Sequence, residues 1–372
     1  GHDDGPTNDG QLCVRGRFGV VEIVHAPSRL KAPMVRRNGK LVEVTWDEAL
    51  DAVAQALSRH RGDAFAAIGS ASATNEENYT LQKFARAVMH TNNVALATSF
   101  PEDEQSTEPV ETIRATGEPS IGKIRKAKSI LVVGANVFAS HPIIGVEIRH
   151  ATSGGAHLIT VDTRETEMAR QSSVWLQPKV GTDSMLLAGI IRAIADERRG
   201  LPKLSRLAKL DLDKVAESTG VSREAIVSAA RALIRRTPAV IIYGSGVTHY
   251  STGPNVIKAI RSLAFMISDA RIIGVRGEGN VVGAYDMGAH PALLPGYRSV
   301  SKPKDLKNFK VAWKAELSSR AGRAYEQIVD GIRKGQIKAL YLAGEMPHLP
   351  ELAKAELVVF QDIVATENLQ YA

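Results

Sequence analysis

Cysteine is almost absent from this sequence, which has one residue of this type, Cys13, in 372. A single thiol excludes a disulfide framework within the chain. It also excludes an iron–sulfur cluster or a thiolate zinc site built from this chain alone, because such sites need several cysteine ligands. Aromatic residues make up only 5% of the chain. The sequence therefore offers few side chains for the stacking surface of a nucleic-acid binder.

Long apolar runs and blocks of one charge are also missing. No apolar run reaches the roughly 18 residues of a membrane span, and the acidic, polar start does not resemble a signal peptide. The 47 Lys+Arg against 40 Asp+Glu give a net charge of +7, without a block of about five basic residues. We expect a cytoplasmic protein that binds no nucleic acid and reaches a membrane only through a complex, without a span of its own.

The pattern of apolar residues predicts an α/β fold. At roughly 150 residues per domain, the 372 residues suggest two or three domains. From residue 129 onwards, runs rich in Val, Ile and Leu alternate with helical periodicity, which is typical of doubly wound parallel sheets. Earlier strands are expected at 19–24, 41–45 and 64–68. Residues 97–120 and 288–308 are expected to be loops.

Two helix starts carry the capping-box pattern. Thr45 precedes Glu48 by three positions, as Thr74 precedes Glu77. In this motif the hydroxyl accepts a backbone N–H of the first turn, and the carboxylate accepts the N–H of the capping residue. We expect a reciprocal cap at Thr45, and we expect Thr74–Glu77 to cap the next helix.

The ends of four predicted strands indicate a ligand site. They are Gly134-Ala135-Asn136, Asp162-Thr163-Arg164, Gly244-Ser245-Gly246 and Gly344-Glu345. Open parallel sheets bind ligands beyond the carboxyl ends of their strands, where glycine lets a phosphate approach and an aspartate accepts from ribose hydroxyls. A ligand of nucleotide size fits these residues, but ordinary strand-to-helix turns use them too. Both interpretations stay open at this point. The glycine-rich stretch Gly274–Asn280 likewise has two interpretations, a loop that folds against a ligand or a surface turn.

Several motifs, in chain order, resemble the molybdopterin oxidoreductase family, formate dehydrogenases in particular. They include Leu12-Cys13-Val14-Arg15-Gly16, Thr45-Trp46-Asp47-Glu48, Thr74-Asn75-Glu76-Glu77-Asn78-Tyr79, Ser140-His141-Pro142, Gly181-Thr182-Asp183 and Gln361-Asp362. The resemblance spans essentially the whole chain. It implies two α/β domains that hold two molybdopterin guanine dinucleotides with molybdenum or tungsten, and a small N-terminal domain with a [4Fe–4S] cluster.

The resemblance also implies a domain division. Residues 1–45 correspond to a remnant of the [4Fe–4S] domain, 46–98 with 276–372 to a discontinuous first α/β domain, and 99–275 to a second, dinucleotide-binding-like domain. The family continues beyond both ends of this sequence, so we expect a fragment of a longer polypeptide. A [4Fe–4S] cluster is expected only in such a longer chain.

Residues of this chain can be matched to the family's cofactor positions one by one. The matching residues are Arg15, Asn136, His141, Asp162, Arg164, Gly181, Thr182, Asp183, Gly246, Thr248 and Asn280. By resemblance, Asp162 and Arg164 would meet a guanosine, and Gly181-Thr182-Asp183 would close on its guanine. Gly246, Thr248 and Asn280 correspond to the pterin side.

Three further positions concern electrons and substrate. Cys13 matches the last of four cluster cysteines, and Arg15 stands where many relatives carry the lysine between cluster and pterin. Arg276 matches the arginine that orients formate. The histidines at 141, 249 and 290 lack a second histidine at ligand spacing, which favours structural roles over metal ligation.

The metal-ligand loop departs from the family. Formate dehydrogenases place a selenocysteine or cysteine followed by histidine shortly after the segment equivalent to Asn92-Asn93-Val94, whereas residues 99–106 contain neither. Asp103 or Ser99 as a replacement ligand stays open as an alternative. Glu278 replaces the usual glutamine and adds a carboxylate near Arg276, which opposes the docking of an anion.

These departures favour an electron-transfer subunit over an active dehydrogenase. We expect a large subunit, or part of one, of a formate-dehydrogenase-like or NADH-quinone-oxidoreductase-like complex, whose partner subunits carry iron–sulfur clusters or flavin. An active molybdenum or tungsten oxidoreductase with an unusual metal ligand is the first alternative. A structural docking module without redox function is the second.

Overall fold

The computed structural model describes residues 2, 3, 5, 8, 10–97, 121–198, 210–248 and 252–372. The chain divides into two compact units. Unit 1 comprises the described residues of 1–18 and 111–277, and unit 2 those of 19–110 and 278–372. The division expected from the sequence, with a separate domain for residues 1–45, stays a prediction.

The described strands and helices have the following bounds. The strands are β1 Met34–Arg37, β2 Lys40–Glu43, β3 Phe65–Gly69, β4 Val94–Leu96, β5 Ser129–Val133, β6 His157–Val161, β7 Val174–Leu176, β8 Ala239–Tyr243, β9 Ala270–Gly274, β10 Leu293–Leu294, β11 Arg298–Ser299, β12 Ala339–Ala343 and β13 Leu357–Gln361. The helices are α1 Val14–Val24, α2 Trp46–Leu57, α3 Asn75–Ala87, α4 Val137–Ser140, α5 Pro142–Ser153, α6 Glu167–Gln171, α7 Asp183–Glu197, α8 Leu212–Thr219, α9 Arg223–Arg235, α10 Ser245–Thr248, α11 Gly253–Met266, α12 Val281–Asp286, α13 Pro303–Trp313 and α14 Tyr325–Arg333. Short 3₁₀ turns lie at Gly62–Ala64, Ile121–Lys126, Pro350–Lys354 and Glu367–Tyr371.

The described residues of unit 1 form a five-stranded parallel sheet in the order β7-β6-β5-β8-β9. Successive side chains of a strand face opposite sides of the sheet. Leu131 and Val133 pack with the apolar faces of α7, α8, α9 and α11. Ile130 and Val132 pack on the other side with Ile144 and Ile148 of α5. Helices therefore cover both faces of this sheet.

Unit 2 has a parallel sheet in the order β13-β12-β3-β4 and two short hairpins, β1–β2 and β10–β11, among its described residues. Ile68 of β3 packs with Ile328 and Ile332 of α14. On the opposite face, Phe65 packs with Leu81 of α3. The expectation of an α/β fold with parallel sheets is confirmed.

Two local predictions are wrong. Residues 19–24 are not a strand but the second half of α1, because a short apolar run does not distinguish strand from helix. The expected loop at 288–308 contains the β10–β11 hairpin and the start of α13. Pro303 occupies the first turn of α13, where its missing N–H costs no hydrogen bond.

The two predicted helix caps behave differently. At α3, Glu77 N donates to Thr74 Oγ1 over 3.2 Å and Thr74 N donates to Glu77 Oε2 over 2.7 Å, so the predicted cap is confirmed and forms a full capping box. At α2, only the first half forms, with Glu48 N donating to Thr45 Oγ1 over 3.3 Å. The Glu48 carboxylate accepts from Arg37 instead. None of the helices in the described ranges is long and apolar enough to cross a membrane.

Candidate functional site

The strand order of unit 1 places a topological switch point between β5 and β8. The chain runs from β5 outward through β6 and β7, and then returns to the other side of β5 with β8 and β9. The loops that follow two such neighbouring strands lead to helices on opposite faces, so ligands bind between them in open α/β sheets. Here these loops are 134–136 and 244–246, two of the four predicted strand ends.

Glycine allows the two loops to approach each other closely. Gly246 N donates to Gly134 O over 2.9 Å. A Cβ atom on Gly246 would lie 2.6 Å from Gly134 O, and one on Gly244 would lie 2.8 Å from the Cβ of Ala135. Gly134 itself has a φ of +57°, which disfavours other residues. At the carboxyl edge of the sheet, the backbones of the two loops are therefore in direct contact.

Gly246→Ala tests this approach. We expect it to lower the free energy of unfolding by about 1–3 kcal/mol, because the added methyl group overlaps the carbonyl of Gly134 and must push the loops apart. Thermal unfolding followed by circular dichroism measures the effect. Gly19→Ala is the matched control, since its Cβ would meet no atom within 4 Å. Equal stability of the two variants would contradict the close approach.

Two buried polar atoms border this switch point. Asn136 Oδ1 and Thr248 Oγ1 have no hydrogen-bond partner among the described residues. Thr248 ends α10, the short helix that follows β8, and Asn136 precedes α4 after β5. Buried polar side chains are normally paired. Unpaired atoms at the edge where ligands bind can take hydrogen bonds from a polar ligand.

An acidic corner lies at the end of the neighbouring strand β6. Asp162 is 6% exposed and accepts from the backbone N of Arg164 over 2.9 Å. Asp183, the first residue of α7, is 7% exposed. Burial raises the pKa of the Asp183 carboxyl, and the charge of Asp162 raises it further. The structure therefore brings these two predicted residues close together in a poorly solvated corner.

The other predicted guanosine residues are arranged around this corner. Arg164 is largely exposed, and its Nε lies 3.8 Å from Asp162 Oδ1. The Thr182 hydroxyl donates to Lys179 O over 2.6 Å, which leaves its oxygen only as an acceptor. Gly181 has a φ of +81° and open space where a Cβ would be. The backbone conformation of Gly181 and the hydrogen bond of Thr182 thus fix the turn 181–182. Space remains next to Gly181, where a side chain would lie.

His141 is bound to the loop that carries Arg276. Its Nε2 lies 2.7 Å from Arg276 O, and its Nδ1 lies 2.8 Å from Ser140 Oγ. Because a carbonyl only accepts, Nε2 carries the hydrogen in the neutral ring. The Ser140 hydroxyl has two acceptors within reach of its one hydrogen, His141 Nδ1 and, at 3.1 Å, Asn136 O. Burial lowers the pKa of His141, which favours this neutral form. Both ring nitrogens of His141 therefore have partners within unit 1. Arg276 is 7% exposed.

Asn280, in unit 2, also uses its amide internally. Its Nδ2 donates to Ala73 O over 2.8 Å and to Asn75 Oδ1 over 3.0 Å. A Cβ on Gly283 would lie 2.2 Å from Asn75 Oδ1. The amide hydrogens therefore fasten the start of α12 to the start of α3.

Unit 2 has a polar edge of its own that the sequence only partly indicated. Asp362 follows β13, and its Oδ2, like Thr366 Oγ1, is buried without a partner among the described residues. Burial raises the pKa of Asp362, and Glu345 adds to the effect. Glu345 was expected from its position after β12. Asp362 has the same signal, a polar residue directly after a strand, but sequence reasoning gave it no ligand role.

Cys13 lies directly before α1. Backbone N–H groups of Gly16 and Arg15 lower the pKa of its thiol, and Arg15 itself is exposed. No group of three His, Cys, Asp or Glu side chains that could hold a metal occurs within the described ranges. Ser99, Asp103 and His249 lie outside the described residues.

Comparison with known proteins gives the class. The chain belongs to the molybdopterin oxidoreductase family, whose model matches residues 29–372. It is 33% identical over 399 residues to F420-dependent formate dehydrogenase 1 subunit alpha of Methanococcus maripaludis, covering 99% of this chain and 58% of that one. It is also 33% identical over 406 residues to formate dehydrogenase H of Escherichia coli, with 99% and 57% covered.

The solved structure of acetylene hydratase from Pelobacter acetylenicus has the same fold. The TM-score is 0.70 at 19% identity, covering 99% of this chain and 57% of that one. The chain spans about half the length of these curated relatives. The resemblance to the family is therefore confirmed, and the alignment places this chain against only part of each relative.

The described residues fit one family cofactor and not another. Asn136 Oδ1 and Thr248 Oγ1, buried without a partner among the described residues, and the carboxylates of Asp162 and Asp183 suit a pterin guanine dinucleotide, which presents hydroxyls and N–H groups. An iron–sulfur cluster does not fit this chain alone, because Cys13 is its one cysteine and clusters are held by several thiolates.

Proposed function

We propose that this chain is part of a large electron-transfer subunit of a formate-dehydrogenase-like or NADH-quinone-oxidoreductase-like redox complex, and that unit 1 binds a molybdopterin guanine dinucleotide. The observation that carries the proposal is the polar switch point between β5 and β8. The buried Asn136 Oδ1 and Thr248 Oγ1 border it and have no hydrogen-bond partner among the described residues. A decayed scaffold has no reason to keep such atoms away from water, because each costs about 1–3 kcal/mol when unpaired.

Asp183 and Asp162 suggest how the nucleotide is recognised. A carboxylate can accept hydrogen bonds from the N–H groups of a guanine base, and low exposure strengthens such bonds. Arg164, exposed beside them, can pair with a phosphate or stack on a ring. The bound dinucleotide would supply ligands for molybdenum or tungsten. This chain's residues would position it and exclude water.

The metal chemistry is the part that we propose to be reduced or lost. The sequence carries neither cysteine nor histidine in residues 99–106. Thiolates and imidazoles are typical ligands of such metals and typical proton acceptors. Electron transfer then rests on partner subunits with iron–sulfur clusters or flavin, and on a cluster held jointly by Cys13 and thiolates from outside this chain.

An active formate dehydrogenase is the second candidate. Arg276, at the position of the formate-orienting arginine, is almost fully buried, and its backbone carbonyl accepts from His141 over 2.7 Å. A desolvated guanidinium suits the binding of a small anion.

Metal and cofactor analysis of the natively purified protein distinguishes these functions. We expect pterin after oxidation, and iron in the presence of its partners, with molybdenum and tungsten far below one equivalent. Near-stoichiometric molybdenum or tungsten together with formate-dependent dye reduction would establish the active enzyme instead. Absence of both pterin and iron would overturn both candidates and leave a structural docking module.

A further inference from the structure

Glu147 is a carboxylate inside unit 1 that the proposed site does not use. It lies on the buried face of α5, beside Ile144, Ile148 and Ala151, and is 1% exposed. Burying an ionised carboxylate is unfavourable unless several donors satisfy it. Its partners therefore indicate which segments the fold must hold together at this point.

Three donor groups converge on Glu147 from two segments. Arg125, in the 3₁₀ turn Ile121–Lys126, donates from Nε to Oε2 over 2.8 Å and from its terminal NH2 to Oε1 over 2.7 Å. Gln11 donates from Nε2 to Oε1 over 3.0 Å. Burial by itself would raise the pKa of Glu147, but the hydrogen bonds from Arg125 and Gln11 outweigh it and lower the pKa. Glu147 is therefore ionised at neutral pH.

Gln11 is itself well placed to hold the start of the chain. Gln11 N donates to Asn8 O over 2.9 Å, and Asn8 Nδ2 donates to Gln11 O over 2.6 Å. This turn is followed, after one residue, by Cys13. The two hydrogen bonds from Arg125 to Glu147 already join the 3₁₀ turn to α5. The hydrogen bond from Gln11 therefore joins a different segment to α5, the one that carries Cys13.

The residue at the N-terminus of the same helix contacts the loop of Arg276. His141, which precedes α5, bonds to Arg276 O, six positions before Glu147. At 1.5 Å per residue, the two contacts lie roughly 9 Å apart along the helix. One rigid element thus touches both the Cys13 segment and the Arg276 loop.

We propose that Glu147 is a positioning residue that anchors the Cys13 segment to α5 through Gln11. The consequence for electron transfer, a fixed position of the cysteine relative to the pterin site, rests on the proposed function. The anchor itself does not, since it needs no cofactor.

The single cysteine makes the anchor measurable. A nitroxide attached to Cys13 of the 372-residue chain reports the local mobility of this segment by electron paramagnetic resonance. Losing a hydrogen bond to a charged group shifts a local opening equilibrium by roughly tenfold, so Gln11→Ala and Glu147→Ala should both enlarge the mobile fraction by about that factor. Gln11→Lys, which keeps a donor and adds an opposite charge, should restore the immobile spectrum.

Glu167→Gln is the matched control. Glu167 accepts from Arg149 of α5 over 2.6 Å, but it is exposed and belongs to α6. It should leave the spectrum unchanged. The proposal is overturned if Gln11→Ala leaves the label immobile, whether or not Glu147→Ala folds, because Glu147 would then serve only the packing of α5 with Arg125. The mobility of the label does not depend on the pterin or metal content of the protein. The proposed anchor and the proposed function can therefore fail independently of each other.

Discussion

Arg86→Met is expected to lower the free energy of unfolding by about 3–5 kcal/mol, because it leaves several buried acceptors unpaired at about 1–3 kcal/mol each. Arg86 lies on α3 with 2% exposure. Its guanidinium donates to three backbone carbonyls, those of Gly288 at 2.9 Å, His290 at 2.6 Å and Leu293 at 2.8 Å. Methionine fills similar space but leaves all three carbonyls without these donors.

Side chains complete the environment of this cation. Nε donates to Asn92 Oδ1 over 2.9 Å, and a terminal nitrogen donates to Gln82 Oε1. No carboxylate pairs with Arg86 among the described residues. Burial lowers the pKa of Arg86 to about 9, so it remains charged at neutral pH. The guanidinium is therefore held by amide and carbonyl dipoles alone, and its removal leaves buried acceptors that water cannot reach.

Arg86→Lys separates charge from geometry. An ammonium keeps the charge but has three donors in place of the five of a planar guanidinium. We expect it to be destabilising as well, by about 2 kcal/mol or more, because unpaired buried acceptors cost about 1–3 kcal/mol each.

Denaturant unfolding and hydrogen exchange of residues 288–293 measure the effect of both substitutions. Arg37→Met is the control, since Arg37 is 55% exposed in a surface pair with Glu48 and should cost less than about 1 kcal/mol. A loss at Arg86 no greater than at Arg37 would show that the carbonyls find other donors.

The role of Arg86 also illustrates what the sequence can and cannot predict. The buried parallel strands at 129–133 and 239–243 were found because both faces are covered, which makes each a continuous apolar run. Arg86, at helical spacing from Gln82, has the sequence pattern of a solvated surface residue. Only tertiary packing, which brings the chain at 288–293 against α3, turns it into a buried anchor.

The same distinction applies to the candidate site. Asn136 and Gly246 were predicted as ligand residues because polar and small residues directly follow strands, and the edge of a parallel sheet collects such residues. The internal bonds of His141 and Asn280 depend on contacts with residues 135 and 207 positions away. No local pattern encodes such contacts, so the sequence could propose these side chains as ligands without showing which of their atoms remain available.

Asp183→Asn is expected to change stability and nucleotide binding in opposite directions. The pKa of Asp183 is raised in the folded state by burial and by Asp162. The folded state therefore binds the proton of this carboxyl more tightly than the unfolded state does. This group stabilises the fold at acidic pH, and the contribution is lost as pH rises through its folded pKa. At neutral pH the charged carboxylate is destabilising, and asparagine should raise the melting temperature.

The stability gain should shrink as the pH falls through the folded pKa of Asp183 towards its ordinary value of 3.8, because the wild-type carboxyl is then neutral too. Binding should behave differently. A carboxylate offers two acceptors to a guanine base, whereas the asparagine amide offers one acceptor and one mismatched donor. With guanosine diphosphate as the probe, we expect the affinity at neutral pH to fall by about 10- to 100-fold.

Differential scanning fluorimetry across pH and calorimetric titration with the nucleotide give the two measurements. Asp213→Asn is the matched control in unit 1, because Asp213 is 69% exposed and pairs with Arg223 at the surface; it should change neither quantity appreciably. If Asp183→Asn raised stability but left the affinity unchanged, the guanine would not meet this carboxylate. If it lowered both, Asp183 would serve mainly as a cap for α7. Only the opposed changes indicate a carboxylate kept at a cost to stability because a ligand needs it.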